Sequence, residues 1–325
     1  MTPNTVKCLL AYAVLMLTSV AIGAAELPKV VIATGVDPSF AHFYVGVSAN
    51  ILKNNGVDAQ LKTGPSGGAM VPLVISDQAN AAMAASLPGL VNHLVDPDVV
   101  AVAQISIYEH FYGILATKAF KNLQELKGRK VGITRATASE ALWYGALKKF
   151  DLPGPYAEFV YVEPPEMLAA IERGDIVAFS SWEPWLSRTL LAVANTQLLM
   201  DNHDIFLDAG FIYMNRRWIE QNKDTAVKFM RAMVEATDFI RQKPEETKKI
   251  VGDTVNIPPE LMTMIMPKVT YCAKLDGQSY DLTKVQVELL KQRGRIQGEF
   301  AYGKFFYPDL LRAVNPSLVD LPKAM

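Results

Sequence analysis

A run of small and hydroxyl-bearing residues is the first candidate for binding chemistry. It reads Gly-Pro-Ser-Gly-Gly at positions 64–68 and lies between a predicted strand and a predicted helix. Backbone N–H groups at a helix start, together with a serine hydroxyl, can donate hydrogen bonds to a bound negative group. Ser66, Gly67 and Gly68 are therefore candidate ligand-binding residues.

The same run matches the G-x-S-x-G pattern that holds the nucleophile of many serine hydrolases. Ser66 would then be the nucleophile and His203 the candidate base. However, Pro65 restricts the sharp turn that such a nucleophile needs, and a later segment with the same order of elements has a proline but no serine at the matching place. These observations favour binding, with an exported hydrolase using Ser66 as the alternative.

A second set of donors follows the predicted strand 130–134 and includes Arg135, Thr137 and Ala138. The planar guanidinium of Arg135 fits a sulfonate, a carboxylate or nitrate. Thr137 and Glu140 also have the spacing of a capping box, which needs no ligand. In the first half of the chain, the hydroxyl of Ser86 follows the third predicted strand and completes the set of candidate donors.

Aromatic residues follow the first and the last of the strands that carry these loops. Phe40, His42 and Phe43 come after the strand 29–34, and Trp182 ends a strand in the second half of the chain. The flat ring of Trp182 would cover the organic body of a ligand whose anionic end the donors hold. Aromatic residues at such spacings also pack cores, and that alternative stays open for each of them.

Glu183, next to Trp182, has three interpretations. It could pair with an amino group of a taurine-like zwitterion, or it could stabilise the start of the following helix. Together with Glu163, which also follows a strand and precedes a proline, it could instead serve a carboxylate-based enzyme.

Signatures of cofactor and metal chemistry are missing from the sequence. It contains no GxxxxGK[ST], GxGxxG, HExxH or CxxC pattern. Its four histidines, His42, His93, His110 and His203, are scattered and have no metal-ligand spacing. We therefore predict a protein without cofactor, metal or enzymatic activity.

Composition restricts the partners. The chain has 325 residues, of which 50% are hydrophobic, enough for about two domains of roughly 150 residues. Its 32 Lys and Arg residues balance 33 Asp and Glu residues, with no block of like charge. Binding to a phosphate backbone requires a basic surface, so nucleic acid is not a predicted partner.

The first 25 residues have the pattern of a cleaved signal peptide. Lys7 precedes an uncharged run from Cys8 to Ile22, and small residues precede Glu26. A run of about fifteen apolar residues is shorter than the roughly 20 that span a bilayer. We predict export to the periplasm, which leaves Cys272 as a single, buried and inert thiol without a disulfide partner.

Strands and helices alternate twice along the chain, with prolines at similar places. The first set has strands at 29–34, 58–63 and 79–85 and helices at 41–54 and 70–76; the second has strands at 130–134, 158–162 and 175–179 and helices at 139–150 and 166–173. This order is typical of a parallel sheet with crossover helices. The repetition predicts two similar α/β lobes.

Helices dominate the predicted structure after a strand at 211–214. They cover residues 224–242, a segment beginning at Pro244, and residues 281–292. In the first of them, apolar positions fall at spacings of three and four: Ala226, Met230, Met233, Thr237 and Ile240. Such a stripe indicates core packing, so we predict an all-helical tail that covers one lobe.

Three segments carry a resemblance to a known family. Residues 122–133 read NLQELKGRKVGI and resemble the D-L-K-G-K-K-V-G-V opening of the second lobe; residues 169–175 read AAIERGD and resemble A-A-L-x-x-G-x-V-D-A; residues 182–185 read WEPW. With the two-lobe order, they resemble the substrate-binding proteins of ABC importers for sulfonates, taurine, nitrate and thiamine precursors. Val177 departs from the pattern, at a structural position where the family has an acidic residue.

The resemblance implies the α/β fold of type II periplasmic binding proteins, in which two lobes close on a ligand about a hinge of two crossover strands. The crossovers would lie near Tyr112–Thr117 and Gly210–Met214. Lobe one would comprise residues 26–114 and 212–325, and lobe two residues 115–211.

The resemblance also implies a function. The protein would be a monomeric receptor that binds a small organic anion, a sulfonate, a taurine-like molecule or a carboxylate, and delivers it to an ABC permease and its ATPase. A sensory ligand-binding domain is a further alternative.

Overall fold

The computed structural model describes residues 26–203 and 205–323. The predicted signal peptide, residues 1–25 with Cys8, lies outside the described residues. Within them, no helix combines the length and the apolar character that crossing a membrane requires.

Twelve strands and fifteen α-helices make up the described part of the chain. The strands are β1 (Lys29–Thr34), β2 (Asp58–Thr63), β3 (Ala81–Ala85), β4 (Val99–Tyr108), β5 (Tyr112–Thr117), β6 (Lys130–Ile133), β7 (Glu158–Tyr161), β8 (Ala178–Trp182), β9 (Thr196–Asp201), β10 (Asp208–Asn215), β11 (Val269–Asp276) and β12 (Val319–Asp320).

The helices lie mostly between strands in the first two thirds of the chain and become more frequent after β10. They are α1 (Ala41–Ser48), α2 (Ile51–Asn54), α3 (Gly67–Met70), α4 (Pro72–Ile75), α5 (Ser86–Val95), α6 (Ala138–Lys149), α7 (Pro164–Glu172), α8 (Trp185–Ala192), α9 (Arg216–Gln221), α10 (Lys223–Gln242), α11 (Pro244–Val255), α12 (Pro259–Ile265), α13 (Gly277–Gln292), α14 (Tyr302–Phe305) and α15 (Asp309–Val314).

The strands form two mixed sheets whose central strands are arranged in the same way. The first sheet has the order β12-β11-β4-β10-β3-β1-β2, and the second has the order β7-β6-β8-β5-β9. In the first sheet, β1 is parallel to β2 and β3, and the antiparallel strand β10 pairs with β3. In the second sheet, β6 is parallel to β7 and β8, and the antiparallel strand β5 pairs with β8. The repeat predicted from the sequence is therefore confirmed at the level of strand order.

Sequence patterns explain the position of several elements. Nine of the ten residues of β4 are buried, as expected for an apolar strand inside a sheet that is covered on both faces. All five residues of the predicted apolar stripe are buried in α10, which packs against α1. The stripe therefore serves core packing, as predicted.

The predicted all-helical tail is wrong, because β11 and β12 extend the first sheet beyond β4. β11 has an alternating pattern in which Val269, Tyr271, Ala273 and Leu275 are buried. This alternation is the signature of a strand with one covered face. The predicted helix 41–54 also differs, since it is interrupted between α1 and α2, where Asn50 has φ 57°.

The chain passes between the sheets twice, from β4 to β5 and from β9 to β10. The segments predicted as crossover strands, Tyr112–Thr117 and Gly210–Met214, each belong to one sheet, β5 to the second and β10 to the first. The connections themselves lie a few residues earlier in the chain. The lobe boundaries at residues 114/115 and 211/212 stay a prediction.

The buried side chain of Asn202 joins the two connections. Its amide donates hydrogen bonds to the carbonyl oxygens of Tyr108 (3.0 Å) and Phe206 (3.1 Å). Its Oδ1 accepts a hydrogen bond from the N–H of Tyr112 at 2.9 Å. One side chain thus satisfies backbone groups at the end of β4, at the start of β5 and in the segment before β10.

Replacing Asn202 with alanine is expected to destabilise the fold. The change leaves buried backbone groups of Tyr108 and Tyr112 without partners, at a cost of about 1–3 kcal/mol for each unsatisfied group. We expect the free energy of unfolding, measured by urea denaturation, to decrease by at least about 2 kcal/mol.

The matched control is Asn54→Ala, at an exposed position in α2. It is expected to change the free energy of unfolding by no more than about 0.5 kcal/mol. Equal effects of the two substitutions would contradict the role assigned to Asn202.

Candidate ligand-binding site

A cavity lies between the two sheets, at the carboxyl ends of their parallel strands. Loops after β1, β2 and β3 form one wall, and the loop after β6 and the end of β8 form the other. The lining residues are Asp37, Ser39, Phe40, Gly67, Gly68, Met83, Ala84, Ala85, Pro88, Tyr108, Phe111, Tyr112, Thr137, Ala138 and Trp182. This is the place at which open α/β sheets bind ligands.

Two glycines allow close packing at the cavity, one within the first wall and one between the two walls. A Cβ atom on Gly67 would lie 2.7 Å from the carbonyl oxygen of Met83, so only glycine lets α3 begin this near to β3. A Cβ atom on Gly68 would lie 3.1 Å from Cγ2 of Thr137 in the opposite wall. The start of α3 therefore contacts the start of α6 across the cavity.

The aromatic side chains of the cavity are largely shielded from solvent. The side chains of Phe40, Tyr108, Phe111, Tyr112 and Trp182 are all buried, with exposures of 6% or less. The enclosed volume is about 40 Å³, which is room for a few water molecules, since one water needs at least about 10–15 Å³ on this measure. A ligand can reach the aromatic side chains only when the two walls separate.

Two polar contacts cross from one sheet to the other beside the cavity. Nε1 of Trp182, in β8, donates a hydrogen bond of 3.2 Å to Oδ2 of Asp37, which follows β1. Nζ of Lys268, which directly precedes β11, contacts Oε1 of Glu183 at 2.5 Å. These contacts hold the walls together in the closed arrangement.

Asp37 is the charged side chain among the lining residues, and it is buried. Its Oδ1 accepts hydrogen bonds from the N–H of Ser39 at 2.9 Å and from the Ser39 hydroxyl. Burial raises the pKa of Asp37 to about 6, although the hydrogen bonds from Ser39 and Trp182 act in the opposite direction. The group therefore changes charge near neutral pH.

A second buried carboxyl lies behind the lining. Oδ1 of Asp208 accepts hydrogen bonds from the Ser86 hydroxyl at 2.6 Å and from the N–H of Ala209 at 2.8 Å. Burial raises the pKa of Asp208 to about 6, with the hydrogen bond from Ser86 as the main opposing effect. With Asp37, it gives the cavity a negative electrostatic character above this pKa.

Six of the twelve residues predicted from the sequence line the cavity. They are Phe40, Gly67, Gly68, Thr137, Ala138 and Trp182. Thr137 caps α6 by accepting a hydrogen bond from the N–H of Ser139 at 3.3 Å. The N-terminal turn of this helix therefore faces the cavity, as the sequence predicted.

His42 and Phe43 lie in the core of the first lobe instead of the lining. Nε2 of His42 lies 3.0 Å from the hydroxyl of Thr237, and burial lowers the pKa of His42 to about 3. Phe43 packs against Phe229 of α10, with ring centroids 6.4 Å apart. Both belong to α1, on the face that α10 covers.

Ser66 and Ser86 have structural partners near the cavity. The hydroxyl of Ser66 caps α3 by accepting a hydrogen bond from the N–H of Ala69 at 3.3 Å. Ser86 donates its hydroxyl to Asp208, as described above. Each serine begins a helix and lies next to lining residues without being one of them.

Arg135 and Glu183 are also outside the lining. The guanidinium of Arg135 is exposed and stacks over the ring of Tyr161, 3.9 Å from its centroid. The carboxylate of Glu183 accepts hydrogen bonds from the N–H (3.1 Å) and the hydroxyl (2.9 Å) of Ser187 in α8. Glu183 thus stabilises a helix start, one of the interpretations that the sequence left open, and also pairs with Lys268.

Sequence reasoning did not single out the nine remaining lining residues. Asp37 and Ser39 lie between β1 and α1, where an aspartate followed by a proline is typical of a turn. Tyr108, Phe111 and Tyr112 are three aromatic residues within five positions at the predicted first crossover, and that clustering is the signal that could have identified them. The missed set is completed by Met83, Ala84, Ala85 and Pro88.

The histidines are not all scattered in space. The rings of His110 and His203 stack, with centroids 4.4 Å apart and an angle of 10° between their planes. His110 follows β4 and His203 follows β9, so the two connections between the sheets bring them together. Spacing along the sequence could not show this contact, because 92 residues separate the pair.

Comparison with known proteins identifies relatives of the chain. An Escherichia coli K12 protein, provisionally named an aliphatic sulfonates-binding protein, is 25% identical over 171 residues. That alignment covers 50% of this chain and 53% of the relative, so the chain matches about half the length of such relatives.

Solved structures share the fold over nearly the whole chain. The alkanesulfonate-binding protein SsuA of Xanthomonas axonopodis pv. citri, bound to MOPS, superimposes with a TM-score of 0.74 at 16% identity over 92% of this chain and 100% of that one. The periplasmic nitrate-binding protein NrtA of Synechocystis PCC 6803 gives 0.75 at 16% identity, over 90% of this chain and 89% of that one. The predicted periplasmic binding protein fold is therefore confirmed.

A family profile described as NMT1/THI5 like matches residues 37–247. The match covers well over half of the chain and includes every residue that lines the cavity, from Asp37 to Trp182. The chain therefore belongs to the NMT1/THI5-like family.

Proposed function

We propose that the protein is the extracytoplasmic solute-binding component of an ABC importer and delivers a small organic molecule to a membrane permease and its ATPase. The observation that carries this proposal is the closed aromatic cavity between two sheets that only two connections join. Such an arrangement suits a receptor that opens and closes about a hinge. The names of the sulfonate-binding and nitrate-binding relatives support the same function.

The charge of the lining favours a zwitterion over a bare anion. Asp37 would accept hydrogen bonds from a protonated amino group of the ligand. The first turn of the 12-residue helix α6, at Thr137 and Ala138, would face an anionic group, because the helix dipole favours negative charge there. Among the ligands expected from the sequence, a taurine-like amino sulfonate offers both groups.

The aromatic side chains determine the body of the ligand. Phe40 and Tyr108 from the first wall and Trp182 from the second present ring surfaces to the same small space. Rings of this kind contact aliphatic or aromatic carbon, and their faces also attract bound cations. A compact organic ligand uses these surfaces, whereas nitrate has no carbon to place on them.

The enzyme alternatives receive less support. The hydroxyl of Ser66 caps α3, and His203, its candidate base, lies 2.9 Å from Glu109 instead. Glu183, one of the two carboxylates in the other enzymatic interpretation, is paired with Lys268 and Ser187. A sensory role for the same cavity differs from import only in its partner, so uptake of the ligand by cells lacking the gene separates the two.

Trp182→Ala is expected to weaken binding of an organic ligand at least tenfold. The substitution removes a large buried apolar surface from the cavity, worth about 2 kcal/mol or more, and tenfold in affinity corresponds to about 1.4 kcal/mol. Calorimetric titration with taurine, an alkanesulfonate, an alkylamine and nitrate measures the effect. We expect wild-type protein to bind taurine most tightly.

Two controls accompany this experiment. Trp185→Ala makes the same change three residues along the chain, outside the lining, and Arg135→Ala removes the exposed guanidinium; each is expected to change affinity less than about twofold. Tightest binding of nitrate, or unchanged affinity in Trp182→Ala, would refute the proposed ligand class.

The affinity for a zwitterion is expected to fall on acidification. Because the pKa of Asp37 is about 6 in the ligand-free protein, its carboxyl is mostly ionised at pH 7 and mostly protonated at pH 5. A cationic group binds the ionised form, so affinity should decrease about tenfold between these pH values. Titration calorimetry with taurine at pH 7, 6 and 5 measures the change.

Asp37→Asn tests whether this residue is the source of the pH dependence. The variant should bind the zwitterion weakly, with an affinity that falls less steeply between pH 7 and 5 than that of the wild type; Asp208, whose pKa is also about 6, accounts for the part that remains. A wild-type affinity that rises on acidification would show instead that the ligand presents an anionic group to Asp37.

A further inference from the structure

Two histidines and two carboxylates cluster at the connections between the sheets, apart from the residues that line the cavity. Nδ1 of His110 lies 2.7 Å from Oδ2 of Asp201, and Nδ1 of His203 lies 2.9 Å from Oε1 of Glu109. Glu109, His110 and His203 each present one ligand atom, and these atoms lie within 4.8 Å of one another.

We propose that Glu109, His110 and His203 form a binding site for a divalent transition-metal ion of the Zn²⁺ type. Imidazole nitrogen and carboxylate oxygen are ligands that this class of ion prefers. Three protein ligands leave a fourth position of a tetrahedral ion for water. The proposal concerns a site separate from the cavity and therefore does not depend on the proposed solute-binding function.

Binding of an ion requires the two imidazole rings to rotate, because their planes are nearly parallel and the lone pair of a ring nitrogen lies in the plane of its ring. A tetrahedral ion with bonds of about 2.0–2.1 Å holds its ligand atoms about 3.4 Å apart. Nδ1 of His203 and Oε1 of Glu109, which lie 2.9 Å apart, must therefore separate by about half an ångström, and the ligand atom of His110, within 4.8 Å of the others, must reach the same spacing. Their side chains are about half exposed, at 48% for His110, 49% for His203 and 55% for Glu109, so an ion can reach them from solvent.

Asp201 would not bind the ion itself but would hydrogen-bond to a histidine that does. Because Nδ1 of His110 faces Asp201, its Nε2 is the nitrogen that would bind the ion. A carboxylate hydrogen-bonded to the other ring nitrogen fixes the tautomer and orientation of a metal-binding histidine. At the other ring, the ion would take the place of the proton that lies between His203 and Glu109, and both groups would become ligands.

Backbone contacts hold the cluster in place. The N–H of His203 donates a hydrogen bond of 2.9 Å to Oδ1 of Asp201. The adjacent residue, Asn202, fixes the ends of β4 and β5 through the hydrogen bonds described above. His110 has φ 58°, a left-handed conformation that turns the chain sharply between those strands. The donor groups are therefore brought together by the fold before any ion binds.

Because of the position of the site, a bound ion would affect the stability of the folded protein. Glu109 and His110 lie in one connection between the sheets, and His203 lies in the other. A bound ion would link the two connections directly, at the hinge. It should therefore stabilise the folded protein by mass action, in proportion to its concentration relative to its dissociation constant.

Titration of Zn²⁺ into the protein, purified without a histidine tag and dialysed against EDTA and then buffer, tests the proposal. We expect one ion per chain with a micromolar or lower dissociation constant. His110→Gln and His203→Gln should each weaken binding at least tenfold, and Asp201→Asn should weaken it by about tenfold or more. Glu109→Gln, which removes the third proposed ligand, should also weaken binding. Its control is Glu172→Gln, the same change at an exposed position outside the cluster, and this control should leave the affinity unchanged.

A measurement on the wild-type protein keeps the test independent of the folding of the variants. Diethyl pyrocarbonate modifies accessible imidazoles, and Zn²⁺ should protect His110 and His203, as read by mass spectrometry. A dissociation constant above about 100 µM, affinity retained in both histidine variants, or equal modification with and without Zn²⁺ would each overturn the proposal.

Discussion

The hydrogen bonds of the Asn202 side chain hold together the two connections between the sheets, and the cavity depends on that junction. Each wall of the cavity belongs to a different sheet, so the distance between the walls is set where the chain crosses from one sheet to the other. Asn202 is fully buried there and satisfies backbone groups on both crossings. One buried amide thus fixes the two crossings relative to each other.

The contacts that close the walls differ in kind from this junction. The ion pairs Lys268–Glu183 and Arg293–Glu140, and the hydrogen bond of 2.8 Å from Arg188 to the carbonyl of Asn256, involve cations that are partly exposed to solvent. Their carboxylate partners, Glu183 and Glu140, are buried, so breaking either ion pair would leave a buried carboxylate without its cation. Separation of the walls would break these ion pairs and the Trp182–Asp37 hydrogen bond.

Local patterns in the sequence were sufficient to predict the repeat, because the period of the apolar residues and the prolines after each strand report on backbone conformation directly. They also predicted that Gly67, Gly68, Thr137, Ala138 and Trp182 face a common space, since those residues follow parallel strands. Asp37 was missed because an aspartate before a proline is usual in turns, and only burial distinguishes this one. The stacked pair of His110 and His203 depends on the crossing of two distant segments, which no local pattern contains. The strand β11 was overlooked within a region dominated by helices.

The place of β10 at the centre of the first sheet has a consequence for the order in which the chain can fold. β3 and β4 are neighbours in sequence but not in space, because β10 lies between them. As a chain emerges from its N terminus, the edges of β3 and β4 stay unpaired until more than 200 residues are available, and such edges are prone to pair with other chains. The second sheet is built from one continuous segment, β5 to β9, so its contacts are closer in sequence and should form faster. The lobe that begins the chain is thus the last to be completed, and a nascent chain needs protection of those two strand edges until β10 is available.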